Sequence, residues 1–343
     1  MALTLRKAGQ LPRSPTHRDR IMAAATVTSA RLNSNPTTTS EKKSRLTESD
    51  APDRIGRFQI IQQVGRGGMG VVFKALDPET GNMVAVKRLR RDRIKSKSAI
   101  SQFSEEAERM FQFDHPNILS VIEEGEDRGV PFYVMRYIDG ASFDEYVREV
   151  QGGVEWILGV IYKISLALEH VHERGWIHRD VKPSNILIDA EGEPYLTDFG
   201  ISRPIMQELN EEEDDETAGT PLYMAPEQVL APDTVDQRSD VYALGIVMYE
   251  MLTGVRPFRG HGTEDVLSRI LFWEPISPRL LCPTIPAAVE KVIMKAMNKS
   301  PKNRYQSAVE MAQALKSLML RVAINRRIHA HETSVDIPAI KNN

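Results

Sequence analysis

The sequence predicts an α+β fold with two lobes: a small antiparallel β lobe with one helix, then a larger, mainly helical lobe. Two observations predict it. Short runs of β-forming residues alternate with glycine and turn sequences over residues 57–136, whereas apolar residues recur at helical spacing over residues 139–320. A polar stretch lies on each side of these two lobes. We expect a disordered N-terminal tail over residues 1–55 and a polar C-terminal tail over residues 321–343.

The N-terminal tail is rich in Ser, Thr, Ala and basic residues and has no sustained apolar period. Such a segment cannot bury enough apolar surface to offset the entropy lost on ordering, which predicts disorder. Its first forty residues carry six Lys or Arg against a single acid, Asp19. That is also the composition of a transit peptide. A tail without a targeting role is the favoured interpretation.

The small lobe begins with three β-type runs, RFQIIQQVG, GVVFKALD and NMVAVKRLR, which are separated by a glycine loop and by the turn DPETGN. This pattern predicts an antiparallel meander. A helix follows from Ser98 to Phe113, because apolar residues recur there every three or four positions. Strands near Leu119–Glu124 and Val130–Tyr137 complete the lobe. The helical lobe contains apolar periods over residues 154–175, 287–297 and 307–320.

The segment from Met135 to Gly140 joins the lobes and is predicted to be a hinge, and a cleft between lobes is a common place for a nucleotide. The glycine loop GRGGMGVV, from Gly65 to Val72, carries the G-x-G-x-x-G pattern. In dinucleotide-binding folds these glycines open a helix, whereas here another β-type run follows. The sequence therefore predicts a glycine hairpin, whose backbone can approach phosphates because no Cβ obstructs it.

Composition excludes several classes of protein. The net charge of −3 gives no footprint of a nucleic-acid binder, and no run reaches the roughly 18 apolar residues of a membrane span. The apolar stretch from Val241 to Gly254 carries Glu250 and is predicted to be a buried helix. Cys282 is the single cysteine, so the chain forms no internal disulfide. We expect no nucleic-acid partner, no membrane span and a cytoplasmic location.

The most informative stretch is IHRDVKPSNILIDAEGEPYLTDFG, from Ile177 to Gly200. Together with VAVK, GTPLYMAPE and the glycine loop, it resembles the protein kinase family, and its phrases are most similar to bacterial eukaryotic-type (Hanks-type) serine/threonine kinases. The resemblance covers residues 57–320. It implies a two-lobed protein kinase fold that uses ATP and Mg²⁺, with Mn²⁺ as an alternative metal.

The resemblance also implies a role for each motif residue. Asp180 would accept the proton of the substrate hydroxyl, and Lys182 would stabilise the transferred phosphate. Asn185 and Asp198 would hold the metal ions. Lys87 would bind the α- and β-phosphates. Its carboxylate partner would be Glu106, with Glu105 as the alternative, which points about 100° away around the helix. The residues expected to contact ATP are Val64, Gly65, Arg66, Gly67, Gly68, Met69, Gly70, Val72, Ala85, Lys87, Met135, Arg136, Tyr137, Ile138 and Leu187.

Other matches imply support for this chemistry. Glu227 and Arg304 match a structural ion pair of the large lobe, and Asp240 would hold the catalytic loop. The residues expected to form an apolar column through both lobes are Met110, Val121, His178 and Phe199.

Lys182 and Thr220 match serine/threonine kinases more closely than tyrosine kinases, with dual specificity as the alternative. Arg179, before the catalytic Asp, matches kinases in which such an arginine binds a phosphate on the activation segment. Two sources of negative charge compete for it: phosphorylated Thr217 and the six acids from Glu211 to Glu216. Thr217 is favoured, because a carboxylate carries less charge and fewer acceptor oxygens than a phosphate.

A catalytically inactive, kinase-like scaffold is the main alternative function, and phosphotransfer to a small molecule is a third. Every charged group that the chemistry requires is present, which favours an enzyme. GTPLYMAPE resembles a peptide-binding segment, which favours protein substrates. The expected partners are proteins with Ser or Thr acceptors, together with a transient homodimer for autophosphorylation.

Overall fold

The structure is a computed structural model that describes residues 52–150, 152–199 and 221–332. Its first lobe is a six-stranded antiparallel sheet in the order β1-β2-β3-β4-β6-β5, with one helix between β4 and β5. The elements are β1 (Arg54–Ile55), β2 (Phe58–Arg66), β3 (Gly70–Leu76), β4 (Met83–Leu89), α1 (Lys97–Phe111), β5 (Val121–Asp127) and β6 (Val130–Arg136). This is the predicted small lobe.

Local chemistry explains two of its connections. In the turn between β3 and β4, the Asp77 carboxylate accepts hydrogen bonds from Glu79 N and Thr80 Oγ1, both at 3.1 Å. Before α1, Ser96 Oγ accepts the backbone N–H of Ala99 at 3.2 Å, which satisfies one of the free donors at the helix start.

The first strand corrects the predicted tail. The tail was expected to include residues 54 and 55, but both form β1, and Ile55 is completely buried against Phe58 in a cluster on the outer face of the sheet. A two-residue strand is too short to produce a periodic pattern, so the sequence did not reveal it. The predicted tail up to residue 51 lies outside the described residues.

The second lobe is mainly helical, as predicted, and carries a three-stranded sheet in the order β7-β8-β9. Its strands are β7 (Gly140–Ser142), β8 (Ile186–Asp189) and β9 (Pro194–Leu196). Its helices are α2 (Phe143–Val150), α3 (Val154–His172), α4 (Pro226–Leu230), α5 (Arg238–Thr253), α6 (Thr263–Phe272), α7 (Pro278–Leu281), α8 (Ala287–Ala296) and α9 (Ala308–Glu332).

The large lobe is built around α5, which is buried on nearly all sides and ends at Gly254 in the left-handed conformation, with φ 72°. Helices α3 and α8 pack against it, and α9 packs along α3. Helix α9 runs to Glu332, past the predicted domain end at residue 320. The predicted polar C-terminal tail is therefore helical over its first twelve residues, Arg321 to Glu332. No helix among the described residues is long and apolar enough to cross a membrane.

Two of the connections between the lobes are made by the backbone. The predicted hinge leads from β6 into β7, where a side chain at Gly140 would collide with the carbonyl oxygen of Ile188, so the position requires glycine. On the α1 side, the backbone of the segment before β5 pairs with β9. Leu119 N donates to Leu196 O at 2.9 Å, and Leu196 N donates to Asn117 O at 2.8 Å.

The large lobe is also stabilised by the predicted ion pair. Arg304 is buried, and its two terminal nitrogens lie 2.6 and 2.7 Å from the carboxylate oxygens of Glu227. The same guanidinium donates to the backbone carbonyls of Arg238, Asn298 and Lys299 at 2.7 to 3.0 Å. The N–H donors of this guanidinium therefore all find acceptors inside the lobe.

We expect Arg304→Met to lower the free energy of unfolding by about 3–5 kcal/mol, because it leaves a partly buried carboxylate and three carbonyls without their donor. Urea denaturation measures the change. The exposed Arg321→Met is the matched control and should change stability by less than about 0.5 kcal/mol. Equal stability of the two variants would contradict this account of the ion pair.

Candidate active site

Lys87 lies at the centre of the cleft side of β4 and contacts two carboxylates. Its Nζ is 2.8 Å from Glu106 Oε1, on α1, and 2.7 Å from Asp198 Oδ1, in the segment after β9. One ammonium group thus connects the sheet, the helix and the large lobe. Residue 87 is 8% exposed and residue 106 is 4% exposed, so water screens this pair weakly.

The electrostatics keep this cluster charged. Burial alone would lower the pKa of Lys87, but the carboxylates of Asp198 and Glu106 raise it well above its usual value. Burial raises the pKa of Glu106 despite the nearby ammonium. For Asp198 burial acts in the same direction, but the charge of Lys87 outweighs it and holds the pKa below the ordinary value.

In the structure the ion-pair partner of Lys87 on α1 is Glu106 and not Glu105. Glu105 is partly exposed and pairs instead with Arg109 one turn along α1, at 3.2 Å. Tyr133 on β6 adds a contact that the sequence did not indicate. Its hydroxyl donates to Glu106 Oε1 at 3.1 Å. A buried aromatic residue on a strand is ordinary in a core, so no sequence signal distinguished it.

The segment from His178 to Asn185, the predicted catalytic loop, brings three predicted residues together. Lys182 Nζ lies 2.8 Å from Asp180 Oδ2, and Asn185 Nδ2 donates to the same oxygen at 3.0 Å. Asn185 also donates to the backbone carbonyl of Asp180 at 2.9 Å. Both side-chain contacts therefore meet one oxygen of the carboxylate, Oδ2, and no side chain that the structure describes bonds its Oδ1.

Asp240, in the first turn of α5, accepts hydrogen bonds from the backbone of this loop. Its Oδ2 accepts the backbone N–H of His178 and its Oδ1 that of Arg179, both at 2.8 Å, while His172 Nε2 lies 2.8 Å from Oδ2. Burial would raise the pKa of Asp240, but the hydrogen bond from His172 lowers it below the usual value. The sequence missed His172 and Gln228, whose amide donates to Arg179 O at 3.1 Å.

Two residues of the site have left-handed backbone conformations that are unusual for residues other than glycine: Arg179 with φ 67° and Asp198 with φ 54°. Each is held by strong neighbouring bonds, Arg179 by Asp240 and Gln228, and Asp198 by Lys87. Strained backbone of this kind is typical of functional sites.

Two members of the predicted apolar column, His178 and Phe199, are in contact. The rings of His178 and Phe199 lie 4.7 Å apart, and Phe199 stacks on Phe113 at 4.9 Å. Met110 and Val121 belong to the same buried cluster. Burial lowers the pKa of His178, and its ring nitrogens bond Thr197 O and Asp180 N at 3.1 and 3.3 Å. The His178 ring therefore links the backbone of Asp180 to that of Thr197.

The glycine loop closes over Lys87. Gly67 N donates to Gly70 O at 2.9 Å, and Arg90 N donates to Met69 O at 3.0 Å, which ties the loop to the end of β4. A Cβ at Gly70 would lie 3.3 Å from the Lys87 side chain and 3.2 Å from Arg88 O, so this glycine lets the lysine pass. Of the other loop residues predicted to contact ATP, Val64 and Arg66 are exposed or partly exposed at the loop rim.

Among the residues predicted to contact ATP, Val72, Ala85 and Leu187 match positions that would enclose an adenine ring. Val72 and Ala85 share one side of the six-stranded sheet, and Leu187 lies on β8 of the large lobe. Val72 pairs with Lys87 and Ala85 pairs with Met135 across neighbouring strands, and Val72 and Leu187 pack on the cluster that contains Ala85 and Met135. In the hinge, the Arg136 guanidinium lies 5.2 Å from the Tyr195 ring, and Lys74 Nζ lies 4.3 Å from the Tyr137 ring. Ile138 is buried beside them.

These residues fit a nucleotide with a hard metal ion. Asn185 and Asp198 offer an amide oxygen and a carboxylate, which are ligands that Mg²⁺ prefers. Asn185 uses its NH₂ group on Asp180, so its oxygen is the atom left for a metal. The Lys87 ammonium and the glycine backbone supply groups suited to phosphate oxygens. The predicted residues Gly200, Thr217 and Thr220 and the acidic block lie outside the described residues.

Two cavities of the described chain lie away from this cluster. One of about 610 Å³ is lined by residues that include Leu222, Glu250 and Arg256. Another of about 390 Å³, in the small lobe, is lined by residues that include Arg57 and Asp77 and the hinge residues Arg136 and Tyr137, which were predicted to contact ATP. Neither contains the catalytic-loop groups.

The chain matches the model of the protein kinase domain over residues 58–333. It is 34% identical to the serine/threonine-protein kinase PrkC of Bacillus subtilis and 38% identical to PknB of Mycobacterium tuberculosis, over 84% and 74% of this chain. It spans 45% and 42% of the length of those relatives. The PknI kinase domain of Mycobacterium tuberculosis has a similar structure, with a TM-score of 0.60, 26% identity, and coverage of 76% of this chain and 95% of that one.

We expect Asp240→Asn to lower the free energy of unfolding by about 2–3 kcal/mol, because an amide NH₂ group would face a buried donor. Urea denaturation of this variant is compared with that of the exposed Asp233→Asn, which should be unchanged. If both variants unfold at the wild-type urea concentration, Asp240 does not hold the catalytic loop as described.

Proposed function

This chain belongs to the protein kinase family, and on that basis we propose that it transfers the γ-phosphate of Mg-ATP to serine and threonine hydroxyls of proteins. The observation that carries the proposal is the geometry of Asp180. Lys182 and Asn185 both bind its Oδ2, so its Oδ1 is left to receive a hydroxyl proton. The named relatives are serine/threonine-protein kinases, which supports the same acceptor class.

In the proposed reaction, the hydroxyl oxygen of the acceptor forms a bond to the γ-phosphorus, and its proton passes to Asp180. The bond between that phosphorus and the bridging oxygen breaks, and the electron pair leaves with ADP. Lys182, beside Asp180, is placed to offset charge on the transferred group. This chemistry demands mainly positioning and charge stabilisation from the protein.

Lys87 is the proposed ligand of the α- and β-phosphates. In the structure it bridges Glu106 and Asp198. Asp198 and Asn185 are the proposed metal ligands, and a bound Mg²⁺ would neutralise phosphate charge there. Asp198 can serve the metal because Glu106 keeps a second negative charge beside the lysine. Glu106 thus holds Lys87 in place when Asp198 has another partner.

An inactive scaffold is the alternative function, and it is disfavoured because Lys87, Glu106, Asp180, Asn185 and Asp198 are all present and the described contacts join them in two connected clusters. The small-molecule alternative is disfavoured by GTPLYMAPE, which resembles a peptide-binding segment. A transient homodimer for autophosphorylation and a cytoplasmic location stay predictions.

We expect Asp180→Asn to lower phosphate transfer at least 100-fold, because it removes the proton acceptor. Radiolabelled ATP with Mg²⁺ and a generic basic protein substrate provide the assay. Asp233→Asn, an exposed change of the same type, should keep wild-type activity. Removal of Mg²⁺ with EDTA should abolish phosphate transfer by the wild type. Equal labelling by wild type and Asp180→Asn would eliminate the proposed mechanism and favour the scaffold.

Phosphorylation of Thr217 is the proposed activating event, with Arg179 as the receiver of the phosphate. We expect Thr217→Ala to lower activity about tenfold, the equivalent of one charge-assisted hydrogen bond of about 1.5 kcal/mol. Mass spectrometry of the purified protein should locate phosphate on Thr217. The matched comparison replaces the acids from Glu211 to Glu216 by their amides. Full activity of Thr217→Ala together with inactivity of the amide variant would assign the role to the acids instead.

A further inference from the structure

Trp176 connects the end of α1 to the segment that enters the catalytic loop. The Arg109 guanidinium lies over its ring, 4.5 Å from the centroid, and its Nε1 donates to Gln112 Oε1 at 3.3 Å. Arg109 and Gln112 are three residues apart and therefore neighbours on one face of the helix end. We call Trp176, Arg109 and Gln112 the tryptophan latch.

The chemistry of Arg109 indicates that stacking is a principal interaction of its guanidinium. Only a fifth of the side chain is exposed, and its Nε is buried without a hydrogen-bond partner among the described residues. One terminal nitrogen pairs with Glu105 at 3.2 Å, which orients the group over the ring. A partly desolvated cation over a tryptophan face is attracted by the negative face of the ring.

The latch residues are close in the chain to both charged clusters of the site. Arg109 follows Glu106 by three residues on α1, and Trp176 precedes Asp180 by four residues. Trp176 is itself fixed, because its backbone N–H donates to Val171 O at 3.2 Å at the end of α3. Outward movement of α1 that separates Glu106 from Lys87 must also pull Arg109 off this fixed ring.

We propose that Trp176 is a positioning residue for the phosphotransfer described above, and that the latch holds α1 where Glu106 meets Lys87. Trp176 touches neither charged cluster of the site directly. It acts through Arg109 and Gln112 on the orientation of Glu106. The inference rests on the proposed function for its kinetic consequence only, since the coupling of the latch to Glu106 is a property of the fold.

The kinetic test separates positioning from general stabilisation. Trp176→Leu should lower kcat/KM for ATP about tenfold, and Trp176→Phe, which keeps an aromatic face, should stay within about threefold of wild type. Both variants are assayed well below their measured Tm values. A loss of Tm with unchanged kcat/KM would overturn the proposal, because that is the result of a purely structural role.

A double-mutant cycle tests the route of the effect. If Trp176 acts through Glu106, Trp176→Leu should change kcat/KM for ATP less than about twofold in a Glu106→Gln background. In the matched Glu108→Gln background it should keep its full effect, since Glu108 lies exposed on the same helix. A tenfold effect in both backgrounds would show that Trp176 acts elsewhere.

A fluorescence test needs no activity. The chain has three tryptophans, so Trp156→Phe/Trp273→Phe leaves Trp176 as the only emitter. In this background Glu106→Gln should shift its emission to longer wavelength as the latch opens, and Glu108→Gln should not. Identical emission of the two variants would refute the latch even if the wild type is an active kinase. A shift in the Glu106→Gln variant, together with no phosphotransfer by the wild type, would support the latch and reject the proposed function.

Discussion

A buried ammonium between two carboxylates is the constraint on which the arrangement of this protein depends. Lys87 cannot be left alone in the cleft, since an unpaired charge there would be costly. Its partners come from α1 and from the segment after β9, so three separate parts of the chain must meet at one point. Gly70 leaves the space that the lysine side chain needs. The hydroxyl of Tyr133 donates to Glu106, and the packing of α1 brings that carboxylate to the lysine.

Asp240 plays a corresponding part in the large lobe. It is the opposite case: a buried anion whose partners are mainly backbone N–H groups. By binding consecutive amides at His178 and Arg179, it fixes a backbone that would otherwise relax from its left-handed conformation. The conformation of the loop that carries Asp180 is therefore set by a residue of the buried helix α5. The position of Lys87 is set by contacts across the cleft. One part of the site, around Asp180, is therefore held within the large lobe, and the other, around Lys87, forms only where the lobes meet.

The sequence predicts the elements with strong periodicity and the residues in long motifs. The meander, α1 and α5 follow from spacing, and the residues from Asp180 to Asp198 follow from resemblance. What it does not predict depends on single contacts over long separations. Tyr133, His172, Gln228 and Trp176 are ordinary residues until the fold brings them to Glu106, Asp240, Arg179 and Arg109. The ends at Ile55 and Glu332 were missed because a two-residue strand and a polar helix extension lack an apolar period.

The backbone pairing between Leu119 and Leu196 has a consequence for how the lobes can move. Two main-chain hydrogen bonds join them on the α1 side of the cleft, and Asn117 adds a third through its side chain to Pro194 O at 2.8 Å. A seam of this kind resists sliding but permits rotation about itself. Displacement then grows with distance from the seam, so the rim of the glycine loop should travel furthest while the end of α1 hardly moves. Opening of the cleft would accordingly occur at the rim, while Lys87 and Glu106 stay paired.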